Sequence, residues 1–294
     1  MLRPSTLLAA GLAALGCATE ARAPAKVVLP EPEARERPGP TDARAPDLET
    51  ARDPRERWML EGDRAFAARG DGKQPIEAAV AAWKSAERLG PGADVEVRLA
   101  RAEHFLAQIA RRGEREAHYG RGADHALAAM RALGVEGAEG CADRAGAEAA
   151  AALYWRAENL EGRAREAGLV AGARDRRLAL CLCRRAAQIA PDYFHAGPLR
   201  LLGKLLAATP ILAGGSLEKS RRAFEQAIEK SPDFAPTRVE FARTWAVKAQ
   251  DRKLFERSLD AAMAQSQDPP EVKPENALAR ERARALKLRM AELF

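Results

Sequence analysis

Thr209–Phe234 reads TPILAGGSLEKSRRAFEQAIEKSPDF. Pro210 ends any helix that precedes it, because proline carries no amide hydrogen for the helical ladder. Gly214 and Gly215 reverse the backbone, and the Ser216 hydroxyl stands where it caps a following helix. From Leu217, the residues Ser220, Ala223, Phe224, Ala227 and Ile228 recur at helical spacing and form one buried face. Ser231 and Pro232 stop the helix. The stretch is a turn, a helix and a terminator.

The same unit occurs twice more. Ser220, Phe224, Ala227 and Pro232 share their spacing with Ala179, Cys183, Ala186 and Pro191, and with Ala79, Trp83, Ala86 and Pro91. A small residue, a large one, an alanine and a proline at fixed offsets mark the second helix of a tetratricopeptide-like repeat. The small residues admit a neighbouring helix, the large one fills the gap, and the proline marks the exit. The last two prolines lie 41 residues apart, against about 34 in a standard repeat, so the helices or loops are extended. The expected fold is all-α, an antiparallel helix-pair repeat array with a C-terminal capping helix.

Composition agrees. Hydrophobic residues make up 47% of the 294, much of this alanine, with only 5% aromatic and 31% charged residues. This suits close helix packing in a one-dimensional stack. The net charge of +6 comes from basic residues interleaved with acids. No basic-aromatic motif accompanies it, so nucleic acid is not an expected partner.

Residues 1–17, MLRPSTLLAAGLAALGC, join Arg3 to an apolar run from Leu7 to Leu15 and read as a secretory signal peptide. The run is too short for a membrane span. Cys17 directly after it matches a bacterial lipoprotein signal, in which that cysteine is lipidated. The place three before it holds Ala14 where leucine is usual, so an ordinary export signal is the alternative. Residues 18–54 are rich in Pro, Ala, Glu and Arg and read as an extended tether. Residues 55–294 read as the repeat domain. Its first helix carries Trp58, Gly62 and Phe66 on one face and leads through Gly70–Pro75 into Ile76–Leu89. Val95–Ala110 and Ala123–Leu133 form a second, degenerate pair. Further helices are expected over Ala145–Ala167, around Leu178–Ile189, up to Ala208, and over Pro236–Ala249 and Lys253–Ala264. Glu275–Phe294 closes the array, with Ala279, Ala283, Leu286, Met290 and Leu293 covering the last repeat and its arginines in water.

Cys181 and Cys183 are two apart on a helix and point about 200° from each other, so they do not pair. Cys183 fills the large-residue place of its repeat and reads as core. Cys141, in a loop, either pairs with Cys181 in an oxidising compartment or stays free. His104, His118, His125 and His195 lack the spacing that puts two metal ligands on one helix face. They read as surface or satisfied core histidines, and no metal or cofactor is expected. Gly214-Gly215-Ser216 lacks the lysine ending and preceding strand of a phosphate loop and reads as a turn and cap. Asn276, Arg280 and Arg282 read as a capped, solvated helix, with partner contacts as the alternative. Glu61 and Asp63 are read as solvent-facing. No nucleophile constellation stands out, so an enzyme is not expected.

Three segments carry a family resemblance. They are the helix with Tyr154 and Trp155, the run Phe194-His195-Ala196-Gly197-Pro198-Leu199-Arg200-Leu201-Leu202-Gly203, and Pro210-Ile211-Leu212-Ala213-Gly214-Gly215-Ser216. Together they resemble the TatT family, the tetratricopeptide-repeat lipoproteins associated with tripartite ATP-independent periplasmic (TRAP) transporters. The end of the chain, Glu275–Ala279 through Arg282 and Ala283 to Glu292-Leu293-Phe294, is also similar to the family's closing helix. The resemblance implies a non-enzymatic periplasmic lipoprotein that forms trimers, associates with a periplasmic solute-binding subunit and handles small hydrophobic ligands. Alanine rather than aspartate after Cys17 implies sorting to the outer membrane. The competing expectation is a general envelope scaffold whose repeats hold peptides.

Overall fold

The computed structural model describes residues 51, 53–265 and 268–294; the signal peptide, Cys17 and nearly all of the tether lie outside the described residues. Every regular element among the described residues is helical. The chain runs α1 (Pro54–Ala67), α2 (Lys73–Leu89), α3 (Ala93–Ile109), α4 (Arg115–Ala132), α5 (Ala150–Ala167), α6 (Ala173–Ile189), α7 (Tyr193–Ala208) and α8 (Leu217–Lys230). Then come α9 (Ala235–Glu240), a π-helical turn (Phe241–Ala246), α10 (Val247–Ala249), α11 (Arg252–Ala264), α12 (Lys273–Leu288) and α13 (Met290–Leu293). Among the described residues no helix is long and apolar enough to cross a membrane.

The three repeat signatures sit where the spacing places them. Ala79, Ala86, Ala179, Cys183, Ala186, Ser220, Phe224 and Ala227 are fully buried, and Trp83 nearly so. Helices α2, α6 and α8 each stop two residues before the proline. The Ser216 hydroxyl accepts the Lys219 amide at 3.2 Å, so the turn-and-cap reading of that segment holds. A further regularity explains the close packing. Gly62, Gly162 and Gly203 each precede the large residue of their repeat by 21 positions. A Cβ on Gly203 would lie 2.7 Å from the Phe224 ring, and one on Gly62 would overlap Trp83. In these two repeats glycine on the first helix is what lets the bulky residue of the second seat itself; at Gly162 a Cβ would instead lie 2.4 Å from the Tyr119 ring of α4.

The degenerate pair is as well packed as the others, by different means. Helix α4 begins at Arg115, eight residues earlier than the apolar pattern indicates. It is tied to α3 by polar contacts: His118 Nδ1 lies 2.7 Å from Glu103, Arg121 Nε donates to Glu103 at 3.0 Å, and His125 Nδ1 lies 2.7 Å from Glu96. Apolar periodicity is blind to such a seam. Trp58 is exposed and Met59 takes its place in the core. Asp63 is not simply solvated, since Arg98 grips it through two hydrogen bonds of 2.7 and 3.0 Å, while Glu61 is exposed.

Cys141 pairs with Cys181, with Cα atoms 5.3 Å apart, tying the α4–α5 loop to α6. Cys183 points the other way, buried, its thiol donating to the Pro198 carbonyl at 3.2 Å. Closing a loop of 40 residues restricts the unfolded chain, so replacing both Cys141 and Cys181 by serine is expected to cost about 2–4 kcal/mol. Urea unfolding of the double variant checks this.

The closing helix does more than cover the last repeat. Ala279 and Ala283 pack on α9 and α11 as expected, but the start of α12 also meets the first repeat. Arg69, 3% exposed, donates to Glu275 through Nε at 3.1 Å and Nη2 at 2.6 Å, across 206 residues of sequence. It also caps the Phe66 carbonyl at 3.2 Å and reaches the Glu271 carbonyl. The array is thus closed on itself. Asn276 is fully buried rather than solvated: its Oδ1 accepts the Ala235 amide at 2.9 Å, and its Nδ2 donates to Asp233 O and Asp268 Oδ1. Arg280 holds Asp268 at 2.6 and 2.9 Å. Arg282 turns inward, toward a cavity. Of the closing helix's arginines, Arg284 and that following it, Arg289, are the exposed ones; the expectation of arginines in water fails for Arg280, which Asp268 holds, and for Arg282, which faces the cavity.

Candidate functional site

The closed array surrounds a cavity of about 340 Å³. Its walls come from α3, the start of α4, α5, α7, the α8–α9 junction, the π-helical turn and α12.

Two of the family-like segments meet there. Tyr154, Trp155 and Glu158 lie on the cavity side of α5, and Phe194, Arg200, Leu201 and Lys204 on that of α7. What aims the second group is the start of α7, where Phe194, His195 and Ala196 have φ of 46°, 55° and 54°. Left-handed backbone costs a residue with a β-carbon roughly 1–2 kcal/mol. Three in succession persist only because the surroundings hold them. Phe194 packs edge-on to Trp155 at 4.9 Å between ring centres, His195 stacks on Phe234 at 5.1 Å, and Trp155 Nε1 donates to Tyr193 at 3.0 Å. Gly197 then leaves room for Tyr154, whose ring a Cβ there would approach to 2.6 Å. Pro198 falls in the first right-handed turn, where its missing amide hydrogen costs nothing.

Charge is arranged around this aromatic wall. Arg200 bonds Glu158 at 3.0 Å and also Tyr154, and its guanidinium lies 4.9 Å from the Phe234 ring centre. Tyr154 donates to Glu158 at 2.9 Å. Burial alone would raise the Glu158 carboxyl, but Lys204 and Arg200 overcome it and hold the group down to about 2. Lys204 and Arg165 share Glu161, Arg165 at 3.1 Å. Arg243, on the π-helical turn, holds Glu240 at 2.6 Å. A π-turn widens the helix locally and is frequent at functional sites; here it borders the cavity. Arg101 lies between the Phe66 and Phe194 rings, 4.9 and 4.7 Å from their centres. Burial lowers the Arg101 and Arg282 guanidiniums from their ordinary range, a sign of too little negative charge nearby.

His104 departs from the expectation of a satisfied histidine. It lines the cavity, its Nδ1 is buried, and that atom has no hydrogen-bond partner among the described residues. Burial pushes it down to about 4, Glu158 offsetting only part of this. Above pH 6.5 the group is neutral folded or unfolded. As pH falls toward 4, the unfolded chain takes up a proton that the folded chain refuses, so stability declines. The loss is about 3 kcal/mol over that window. His104→Phe is expected to remove this component, seen as a flatter dependence of urea midpoint on pH between 7 and 4. His118 and His125, on glutamates, do fit the satisfied reading.

None of Cys141, Cys183, Asn276 or Arg280 lines the cavity. Its cations were missed because they come from separate helices and look, one at a time, like solvated arginines. Arg200 and Lys204, set among Leu199, Leu201, Leu202, Leu205 and Leu206, were the signal available in the sequence.

A family profile described as the TRAP transporter T-component matches residues 92–294, more than two thirds of the chain. The chain belongs to the TRAP transporter T-component family. All the cavity-lining residues fall inside the matched span. An uncharacterized protein of Treponema pallidum (strain Nichols) is 30% identical over 121 residues, which cover 40% of this chain and 36% of that protein. The chain therefore matches little more than a third of that relative's length.

Proposed function

We propose that this T-component is a non-enzymatic periplasmic accessory protein that engages the transporter's solute-binding subunit and holds a small ligand with an apolar body in its central cavity. The observation that carries the reading is a coincidence: Tyr154, Trp155, Phe194, Arg200 and Leu201, all from segments that suggest the family, line the cavity. Aromatic faces at Trp155, Phe194 and Phe234 suit an apolar body. The Cys141–Cys181 bridge is in keeping with an oxidising compartment. Lipidation of Cys17 would hold the protein at the outer membrane, and a homotrimer is the proposed assembly.

The alternative, a general peptide-binding scaffold, needs an open concave groove. The Arg69–Glu275 seam closes the array where an extended peptide would enter, which favours the transporter reading. The test is a crosslinked pulldown of the anchored protein from its own cells, read by mass spectrometry. Recovery of a TRAP-type solute-binding protein is the expected result. Recovery of envelope-assembly proteins without it would overturn the proposal. Labelling with a fatty-acid analogue, lost in Cys17→Ser, checks the anchor, and sedimentation of the intact protein checks the trimer.

A further inference from the structure

We infer that the cavity selects an organic anion, an acid carried on an aromatic or branched aliphatic body, rather than a neutral apolar molecule. The inference rests on reading the cavity as the ligand site, and goes on to what the ligand must carry.

Charge balance is the first argument. Eight cationic side chains line the cavity; exposed Arg289 pairs with Glu292 and Arg115 donates to the Ala110 carbonyl, which leaves Arg101, Arg165, Arg200, Lys204, Arg243 and Arg282. Glu161 answers Arg165 and Lys204, Glu158 answers Arg200, and Glu240 answers Arg243. The remaining acid, Glu275, is held by both of its oxygens on Arg69. Arg101 approaches it only to 3.6 Å, and Arg282 has no ion pair or hydrogen bond among the described residues. Two guanidiniums therefore face the cavity short of negative charge. Arg101 keeps 29% of its side chain exposed and Arg282 is half-buried; a charge drawn partly out of water without a full partner is one a bound anion would offset.

Unused donors are the second argument, independent of the count. Arg101 Nε and Arg200 Nη1 are buried donors with no hydrogen-bond partner among the described residues; His104 Nδ1, donor or acceptor according to tautomer, is unpartnered too, as is Glu240 Oε2, which lies 2.6 Å from Arg243 in an ion pair. Buried polar atoms are nearly always paired, so two guanidinium donors left over on one cavity point to an absent acceptor. Arg101 is clamped between two phenyl rings and Arg200 is fixed by Tyr154 and Glu158, so neither swings away to solvent. A carboxylate accepts two such donors at once and brings the negative charge that an alcohol or a hydrocarbon lacks. Beside the donors, Trp155, Phe194 and Phe234 offer ring faces, so the anion is expected to carry a flat or branched body. A cavity of about 340 Å³ limits it to a small molecule.

The experiment is calorimetric titration of the full chain with three probes of one shape: 3-phenylpropionate, 3-phenylpropionamide and 3-phenylpropylamine. The acid is expected to bind at least tenfold tighter than the amide, and the amine not at all. Arg101→Gln and Arg282→Gln are each expected to weaken the acid tenfold or more and leave the amide unchanged, so the amide also reports that each variant is folded. Equal binding of acid and amide, or acid binding unchanged in both variants, would overturn the inference. So would binding of none of the three. If the wild-type chain still captures a solute-binding protein in that last case, the transporter role stands and only the anion preference falls.

Discussion

Arg69→Ala lowers the unfolding free energy by about 3–5 kcal/mol, the usual consequence of removing one member of a buried ion pair. Arg69 is 3% exposed and Glu275 10%. With the guanidinium gone, the Glu275 carboxylate loses both of its close donors, and the carbonyls of Phe66 and Glu271 lose theirs. Arg101, at 3.6 Å, is too distant to replace it without movement. Urea unfolding followed by far-ultraviolet circular dichroism measures the loss. Arg69→Lys is expected to fall between wild type and alanine, since an ammonium keeps the charge but not the forked geometry. A midpoint unchanged in Arg69→Ala would mean that the first repeat and α12 are not joined in solution.

Glu158→Ala is expected to cost a similar amount, about 3–5 kcal/mol, by leaving Arg200 buried with only Tyr154 for company. Its pH signature distinguishes it from Arg69→Ala. The folded carboxyl is held down to about 2 from 4.5, so its contribution is complete above pH 4.5 and disappears as pH falls toward 2. The amount is on the order of 3 kcal/mol. Wild type and Glu158→Ala therefore differ most near neutral pH and converge in acid. The convergence belongs to a window below that of His104, whose effect is already complete near pH 4. Unfolding midpoints at pH 7, 5 and 3 separate the two groups. A gap between wild type and Glu158→Ala that stays constant down to pH 3 would contradict the assignment.

Much of the scaffold was legible because it rests on short-range pattern. Ala79, Trp83 and Ala86 and their two counterparts read as helix-packing positions since only one residue size fits each place. The missing half of that pattern, Gly62, Gly162 and Gly203, was present at a constant offset but needs both helices in view to be meaningful. The early turns of α4 were hidden because Glu96 and Glu103 satisfy histidines there, and hydrophobic spacing does not register ion pairs. The left-handed turn at Phe194–Ala196 was not legible from residue types: none is glycine, and the conformation is imposed by Trp155 and Phe234 from elsewhere in the chain. The same holds for the cavity. Arg101, Arg200 and Arg282 are more than eighty residues apart at each step and become one site only when the array closes. Asn276 shows the converse error, where a residue that looks like a helix cap turns out to brace another helix at Ala235.

The seam between Arg69 and Glu275 also sets how this protein melts and how it evolves. An open stack of repeats has two free ends, frays from them, and tolerates the gain or loss of a unit because each unit touches only its neighbours. Here the terminal units are each other's neighbours. No end is free to peel away, so unfolding is expected as a single all-or-none transition, and a duplicated or deleted helix pair would pull the two halves of the seam out of register. The count of repeats is fixed by geometry, much as the number of staves is fixed in a hooped barrel.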